Sequence, residues 1–261
     1  VFNYYGAFLL HQKRNTEALN TYQTSLFINP KNESNWLTVA QMYMADEKTD
    51  SALTVINNAL VSLPDNLNIL FFQGLILFQL EKYDEALAIN KKCIQLSDKN
   101  TKAELKSNFY AQIADIFLKI NKNDSAFASY DEALLYNPGN LHVLNNYAYY
   151  LSLDKKDLRK AEKMSATTVE KEPSNSTFLD TYAWIFYQQG NFSLAKFYIE
   201  RAIDNLGTDT THAEIYDHYG DILWMNGNND AKALKMWQKA LDAGLNTEAV
   251  NNKIRNKGWP R

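Results

Sequence analysis

Small residues recur along this 261-residue chain at a fixed interval of 34 positions. Gly6, Ala40 and Gly74 follow one another at this interval, and Ala18, Ala52 and Ala86 repeat the same steps twelve residues later. Two parallel series with one period indicate an internal repeat. The pattern continues with four further pairs: Ala114 with Ala126, Ala148 with Ala161, Ala183 with Ala195, and Gly220 with Ala233. The chain is therefore predicted to contain seven similar units.

Each unit is predicted to be two short helices and a turn. In the second unit, apolar residues at helical spacing run from Trp36 to Tyr43, and a second stripe runs from Ala52 to Ala59. Small residues suit positions where two packed helices approach closely. The chain has only 9 Gly and 5 Pro, which is few for a fold of tight β-hairpins. Proline is expected to end the second helix of four units, at Pro30, Pro64, Pro138 and Pro173.

This helical hairpin, with a large residue, then a small one, then Ala and Pro, resembles the tetratricopeptide repeat (TPR). The segment 67–96 carries six residues in the register of that family: Leu70, Gly74, Leu77, Tyr83, Ala86 and Cys93. The resemblance covers about residues 1–245 and implies an all-α fold, a right-handed superhelical solenoid of about seven hairpins. The C-terminal half, with NNYAYYL, DTYAWIF and DHYGDIL beginning at 145, 180 and 217, also resembles exported TPR proteins of Gram-negative bacteria, often lipoproteins.

The unit boundaries follow from the period, with extra residues at three places. Insertions are expected near 101–106, 154–158 and 208–211, and stacked repeats tolerate such insertions. The units are predicted at about 1–32, 33–66, 67–100, 101–140, 141–175, 176–209 and 210–245. Residues 246–261 are expected to form a capping helix and tail, because Ala249, Val250 and Ile254 lie on one side of that helix.

Charge and hydropathy narrow the possible partners. A formal net charge of −3 provides no general attraction to a phosphate backbone, so no nucleic-acid binding is expected. No apolar run reaches the roughly 18 residues of a membrane-spanning helix. Because the chain opens at Val1 inside an expected helix, we expect a trimmed N-terminus. The resemblance favours the periplasm or an outer-membrane anchor, with the cytoplasm as the alternative, and the sequence leaves the oligomeric state open.

No residues form a convincing catalytic or cofactor-binding arrangement. The chain has no glycine-rich phosphate loop, and Cys93 occupies a position typical of a small buried residue. Glu214 with His218, and Asp217 with Asp221, are four residues apart and could face one divalent cation. No second histidine joins them at that spacing, so a solvated polar groove is favoured over a metal site. The protein is therefore predicted not to be an enzyme and to need no cofactor or metal.

The resemblance implies that the first helix of each unit lines a concave groove. Its early positions are apolar, as at Phe71 and Phe78, whereas the late positions are acidic and aromatic. None of the groove positions holds Lys or Arg, although the chain has 27 such residues. Clustered carboxylates favour a basic partner, and aromatic rings can stack on Arg. The candidate groove residues are Asn145, Asn146, Tyr149, Asp180, Thr181, Trp184, Tyr187, Asp217, His218, Asp221 and Trp224.

Part of this pattern has a purely structural interpretation. In TPRs the last groove position is often aromatic for packing, which accounts for Tyr187 and Trp224 without a ligand, but not for Trp184 or Tyr149. In LDTYAWIFYQQG, residues 179–190, Leu179, Tyr182, Ala183 and Phe186 are predicted to be core, while Asp180, Trp184 and Tyr187 face the groove.

The carboxylate clamp of TPR co-chaperones is not expected, since only Asn146 matches its polar positions. Its basic positions hold Ala111, Thr177 and Thr181, and Asp115 replaces an Asn.

These patterns predict a non-catalytic scaffold that binds another protein or peptide in an acidic, aromatic groove. The main alternative is a structural subunit that holds an envelope complex together through its ends or convex face. A metal-dependent enzyme built on helical repeats is the least favoured interpretation.

Overall fold

The computed structural model describes residues 2–207, 212–227 and 230–258. Within these ranges the chain forms fifteen α-helices and no strand, so the predicted all-α class is confirmed. The insertion expected at 208–211 lies outside the described residues. The helices are α1 Phe2–His11, α2 Asn15–Ile28, α3 Glu33–Ala45, α4 Thr49–Ser62, α5 Leu67–Gln79, α6 Tyr83–Leu96, α7 Ala103–Lys119, α8 Asn123–Tyr136, α9 Leu141–Leu153, α10 Leu158–Lys171, α11 Ser176–Gln188, α12 Phe192–Asp204, α13 Ala213–Asn226, α14 Asp230–Asp242 and α15 Glu248–Arg255.

Consecutive helices pack as hairpins, from α1 with α2 to α13 with α14, and α15 packs against α14. The chain divides into two compact units, residues 1–138 and 139–261. In the first unit, separate clusters of buried side chains lie around Tyr22, Ile56 and Phe109. In the second unit, one cluster of buried side chains extends from Val169 to Val250. None of the described helices is both long and apolar enough to cross a membrane.

Asparagine side chains start the first helix of several hairpins. Asn32, Asn66, Asn140 and Asn175 are the N-caps of α3, α5, α9 and α11, and each accepts hydrogen bonds from backbone N–H groups of the first turn. Each asparagine lies two residues after one of the four prolines that the sequence assigned to helix ends. The Pro-x-Asn segment therefore both ends one helix and begins the next. The sequence pattern predicted only the first of these roles.

The small positions of the first helices accommodate specific side chains of the second helices. A Cβ atom added to Gly6 would lie 2.7 Å from the Tyr22 ring, and one added to Gly220 would lie 2.3 Å from the Trp237 ring. Tyr22 and Trp237 follow their glycines by 16 and 17 residues. At these two positions the small residue is therefore required by a ring packed directly against the helix backbone, whereas at Gly74 an added Cβ atom would meet the amide of Asn90 at 2.8 Å.

Candidate functional site

The candidate groove residues all lie in the second unit, on the first helices of three hairpins. Asn145, Asn146 and Tyr149 lie on α9, Asp180, Thr181, Trp184 and Tyr187 on α11, and Asp217, His218, Asp221 and Trp224 on α13. α11 packs against both α9 and α13. The fold therefore brings residues more than 70 positions apart in the sequence onto neighbouring helices.

A buried ion pair joins α11 to α13. The Nδ1 atom of His218 lies 2.9 and 3.0 Å from the two carboxylate oxygens of Asp180, and each residue is only 7% exposed. Burial lowers the pKa of His218, but the charge and hydrogen bond of Asp180, with the charges of Asp221 and Asp217, outweigh it and raise the pKa above its usual value. The raised pKa favours the imidazolium form of His218, in which Nδ1 donates to Asp180.

Aromatic rings enclose this ion pair. The Trp184 ring stacks on His218 with centroids 4.1 Å apart and on Tyr187 with centroids 4.6 Å apart. The Tyr149 ring lies 6.1 Å from His218 on another side. Trp184 is 8% exposed, so α13 covers much of the face of α11 that the sequence assigned to the groove. Within the segment 179–190, Tyr187 remains half-buried, whereas Asp180 and Trp184 are nearly as enclosed as the core.

A lysine of the chain itself lies between two of the candidate carboxylates. Lys253 of α15 places its Nζ atom 2.7 Å from an oxygen of Asp217 and 2.7 Å from an oxygen of Asp221. The indole Nε1 of Trp237 also donates to Asp221, at 2.8 Å. Burial raises the pKa of Asp221 to about 6, with Lys253 opposing and Asp217 adding to the rise. These two carboxylates therefore already hold a cation.

Sequence reasoning missed Lys253 and Trp237 as partners of the site. The spacing of the repeat contains a signal for Lys253, because it follows His218 by 35 residues and so occupies the register of an eighth first helix. The missed signal for Trp237 is its register opposite the small residue Gly220. Extending the repeat period by one more first helix would have indicated Lys253 as a partner of the site.

Glu214 is the acidic residue of this surface that stays exposed. It lines a pocket of about 360 Å³ with Thr177, Asp180, His212 and residues 243–245. No ion pair joins Glu214 to any described residue. Burial raises the pKa of Tyr149, and the nearby charges of Glu214 and Asp180 raise it further. Burial and the charges of Asp221 and Asp217 likewise raise the pKa of Tyr187 to about 12. Both phenols therefore remain neutral beside a concentration of negative charge.

The remaining candidates stand apart from the carboxylates. Asn145 and Thr181 are buried and Asn146 is half-buried, and within the described residues no hydrogen bond joins them to Asp180, Asp217 or Asp221. The indole N–H of Trp184 and the side-chain oxygen of Asn145 are buried with no protein partner. An unpaired buried polar atom is costly, so these two atoms are points where water or a ligand would be stabilised. Trp224 is half-buried, and its ring lies close against Gly258.

The structure gives a metal site no support. Across 2–207, 212–227 and 230–258, no group of three His, Cys, Asp or Glu side chains is arranged to hold a metal ion. His218 is paired with Asp180, and Asp217 and Asp221 with Lys253. The expected solvated groove is also corrected at His218 and Asp221, because α13 packs against α11 and α14 and Lys253 contacts Asp221, so that both side chains are buried. Cys93 is fully buried, and burial raises the pKa of its thiol to about 12.

Two family models match parts of the chain. The model described as anaphase-promoting complex, cyclosome, subunit 3 matches residues 11–93, and a tetratricopeptide repeat model matches residues 107–140. None of the curated proteins compared with the chain is a significant match in sequence.

Solved structures share the fold at low sequence identity. A TPR protein from Parabacteroides merdae superimposes with a TM-score of 0.70 at 15% identity, over 98% of this chain and 97% of that one. The APC/C hetero-tetramer Cut9–Hcn1 gives 0.73 at 14% identity, over 98% of this chain and 48% of that one. PilW, a type IV pilus biogenesis factor, gives 0.66 at 18% identity, over 82% and 94%. At these identities the likeness concerns the fold.

Proposed function

This chain is a tetratricopeptide repeat protein, and we propose that its second unit binds a basic peptide segment of another protein. TPR proteins generally act in protein–protein interaction, and their scaffolds are generally non-catalytic. The finer proposal concerns the surface of α9, α11 and α13 that carries Tyr149, Asp180, Glu214, Asp217 and Asp221. We call these five residues the acidic surface.

The contact of Lys253 with Asp217 and Asp221 carries this proposal. The ammonium group of Lys253 lies 2.7 Å from each of two carboxylates, which supports the proposal that this surface favours a cation. Glu214 lies on the same helix as these carboxylates, is exposed and has no cation of its own among the described residues. A second basic side chain, supplied by a partner, would therefore find an available carboxylate here.

Neutral groups beside the carboxylates would supply orientation and contact area. Tyr149 and Tyr187 remain protonated and half-buried, so each offers a ring face and a hydroxyl donor. A guanidinium can stack on such a ring while its N–H groups reach a carboxylate. The groove is built on packed helices, so little ordering is required of the protein when a peptide binds.

The test compares charge reversal at Glu214 with charge reversal at a distant exposed carboxylate. Fluorescence anisotropy would be measured with labelled 12-residue peptides that differ only in the number of Lys and Arg residues. We expect Glu214→Lys to weaken the binding of the most basic peptides by about tenfold at low salt, because an attraction becomes a repulsion. Glu85→Lys, on the exposed surface of α6 in the first unit, is the matched control and should change affinity by less than about twofold.

Equal affinities of the Glu214→Lys variant and the unmodified chain would refute the acidic surface as the binding site. Affinity that does not depend on the number of basic residues in the peptide would refute the partner's chemistry. Both outcomes are informative without any knowledge of the natural partner.

A second candidate function is assembly, favoured by apolar side chains exposed in the first unit. Tyr4, Phe27 and Val61 are 86%, 90% and 83% exposed. These residues lie on α1, α2 and α4, and large exposed apolar side chains can mark a protein–protein interface. If this unit serves assembly, light scattering should detect self-association of the unmodified chain that Phe27→Glu and Val61→Glu abolish. A monomer at all concentrations would remove the support for self-assembly.

A further inference from the structure

Helix α15 covers part of the acidic surface from within the same chain. Its Lys253 binds Asp217 and Asp221, its Val250 is buried in the core cluster of the second unit, and its Ile254 packs against the edge of that cluster. Just beyond the helix, Gly258 lies so close to the Trp224 ring that an added Cβ atom would be 2.3 Å away. Three of the candidate groove residues, Asp217, Asp221 and Trp224, are therefore in contact with residues 250–258.

The contact repeats the geometry of the preceding pair of first helices. Asp180 of α11 binds His218 of α13, and Asp217 and Asp221 of α13 bind Lys253 of α15. Lys253 follows His218 by 35 residues, about one repeat. α15 therefore occupies the place that the first helix of another hairpin would take, and the carboxylates of α13 form the surface that receives it.

α15 is held by few contacts compared with the helices before it. It has eight residues, whereas α11 and α13 have 13 and 14, and its only fully buried side chain is Val250. Isolated helices shorter than about 12 residues are only marginally stable, so α15 depends on its docking contacts for its structure. Loss of the Lys253 contact would leave mainly Val250 and Ile254 to hold it.

We propose that α15 is a resident competitor, which occupies the carboxylates of α13 and is displaced when a partner's basic helix binds there. This inference rests on the proposed function, because it assumes that the partner uses the acidic surface. It adds the sequence pattern that the partner must carry, and it identifies α15 as the helix that the partner must displace. The partner is a helical segment of another protein with one Lys or Arg between two aliphatic residues.

The pattern of α15 defines this partner chemistry. Val250, Lys253 and Ile254 are spaced three and one residues apart, so they lie on one face of the helix. The two aliphatic side chains contact the core cluster, and the ammonium lies between the carboxylates. A competing helix needs an aliphatic residue at the first position, Lys or Arg three residues later, and an aliphatic residue next.

Helix α15 and the partner's basic helix would exclude each other for geometric and electrostatic reasons. The Nζ atom of Lys253 lies 2.7 Å from one oxygen of Asp217 and 2.7 Å from one oxygen of Asp221, and the three side chains keep only 15%, 17% and 9% of their surface exposed for Lys253, Asp217 and Asp221. A second cation at this place would also lie beside the first and be repelled by it. A partner can therefore bind these two carboxylates only after Lys253 leaves.

The experiment uses the full chain and a probe of known sequence. A labelled peptide with the sequence of residues 246–258 would be titrated with the unmodified chain and with the Lys253→Gln variant, and anisotropy measured. We expect Lys253→Gln to raise the affinity for the probe by about tenfold, because the resident helix then competes less well. The Arg255→Gln variant is the matched control, since Arg255 lies exposed on the same helix and has the same charge; it should leave the affinity unchanged.

Two further variants test whether the probe binds at the carboxylates. Adding Asp217→Asn and Asp221→Asn to Lys253→Gln should remove the gain in affinity, and Lys253→Arg should bind the probe as weakly as the unmodified chain. In hydrogen exchange, saturating probe should accelerate exchange of the α15 amides in the unmodified chain. Circular dichroism of each variant verifies that the other helices are retained.

Equal affinity of the unmodified chain and the Lys253→Gln variant for the probe would overturn the competition. A gain that persists after the two Asp→Asn substitutions would overturn the assigned place of binding. The basic peptides and the Glu214→Lys variant test the proposed function separately, because Glu214 does not contact α15. If those peptides bind and the probe shows no gain, the proposed function stands and the competition alone fails.

Discussion

The two units use different chemistry at the contacts between successive first helices. In the first unit, Asn35 donates to Asn3 at 2.9 Å, and Asn66 and Asn68 donate to the carboxylate of Glu33 at 2.6 and 2.7 Å. In the second unit, the contacts between successive first helices are ion pairs, from Asp180 to His218 and from Asp217 and Asp221 to Lys253. The repeat thus fixes where helices meet and leaves the chemistry of the contact free to vary.

This difference has consequences for stability and for binding. The contact between Asn35 and Asn3 is neutral at every pH, whereas the buried ion pairs of the second unit respond to pH and depend on both partners. The clustered carboxylates of the second unit also favour a cation. The second unit therefore combines its structural contacts with a potential binding surface, and the first unit does not.

The largest loss of stability is expected when alanine replaces a glycine that packs against an aromatic ring. The loss should be larger in the second unit than in the first. In Gly220→Ala the new methyl group meets Trp237, which is fully buried and hydrogen-bonded to Asp221, so we expect a loss of about 3 kcal/mol. In Gly6→Ala the methyl group would lie 2.7 Å from the Tyr22 ring, a smaller overlap than the 2.3 Å at Gly220, and the loss should be about 1 kcal/mol. Thermal unfolding followed by tryptophan fluorescence and circular dichroism would measure both. Equal losses would contradict this account of the two rings.

An intermediate loss of stability is expected when one partner of a charged contact is removed. Lys253→Gln leaves Asp217 and Asp221 close together without a cation, and we expect a loss of about 2 kcal/mol in the second unit. Glu33→Gln in the first unit keeps an acceptor oxygen for one of the two asparagines, and the exposed Asn68 can donate to water instead, so the substitution should cost less than about 0.5 kcal/mol. Chemical denaturation of both variants tests the contrast, which disappears if the two losses are the same.

The smallest change in stability is expected from a change in pH. Because the pKa of His218 is raised in the folded protein, its stabilisation is complete below the usual histidine pKa and is lost as the pH rises through the raised value. The pKa of Asp221 is raised to about 6, so ionisation of this buried carboxyl costs stability as the pH rises through that value. We expect the second unit to lose about 1 kcal/mol between pH 5 and 8.

His218→Gln and Asp221→Asn should each flatten this dependence. Hydrogen exchange at a series of pH values, corrected for the intrinsic rates, would measure the stability of the two units separately. Helices α3 and α5 of the first unit are the internal reference, since their contacts are made by amides and Glu33. Stability of the second unit that increases with pH would contradict the direction of both shifts.

Much of the fold could be predicted from the sequence, because the same pattern of small residues recurs several times along the chain. The series that begins at Gly6 and Ala18 identifies both helices of each hairpin, and an error in one unit is corrected by the others. The same reasoning placed the candidate groove residues on the first helices α9, α11 and α13. Their role in binding a peptide remains a prediction.

Less of the candidate site could be predicted, because side-chain pairing is decided between helices. The sequence treated Asp180 and Trp184 as groove residues, since the periodicity of one helix assigns a face but not what covers it. The structure places His218 of the next hairpin against both. The capping segment was expected at 246–261, but its lysine was not connected with the carboxylates of α13.

The sequence alone determined that this chain is an array of helical hairpins, where each helix lies, and that acidic and aromatic residues cluster on the last three first helices. These properties follow from local periodicity and from a length that repeats, and both are visible in one dimension. The tertiary structure alone decided which charges are paired, because a pair such as Asp217 with Lys253 depends on a distance of 2.7 Å across 36 residues. It thereby divided one predicted groove into carboxylates that already hold the chain's own cation and one, Glu214, that remains exposed.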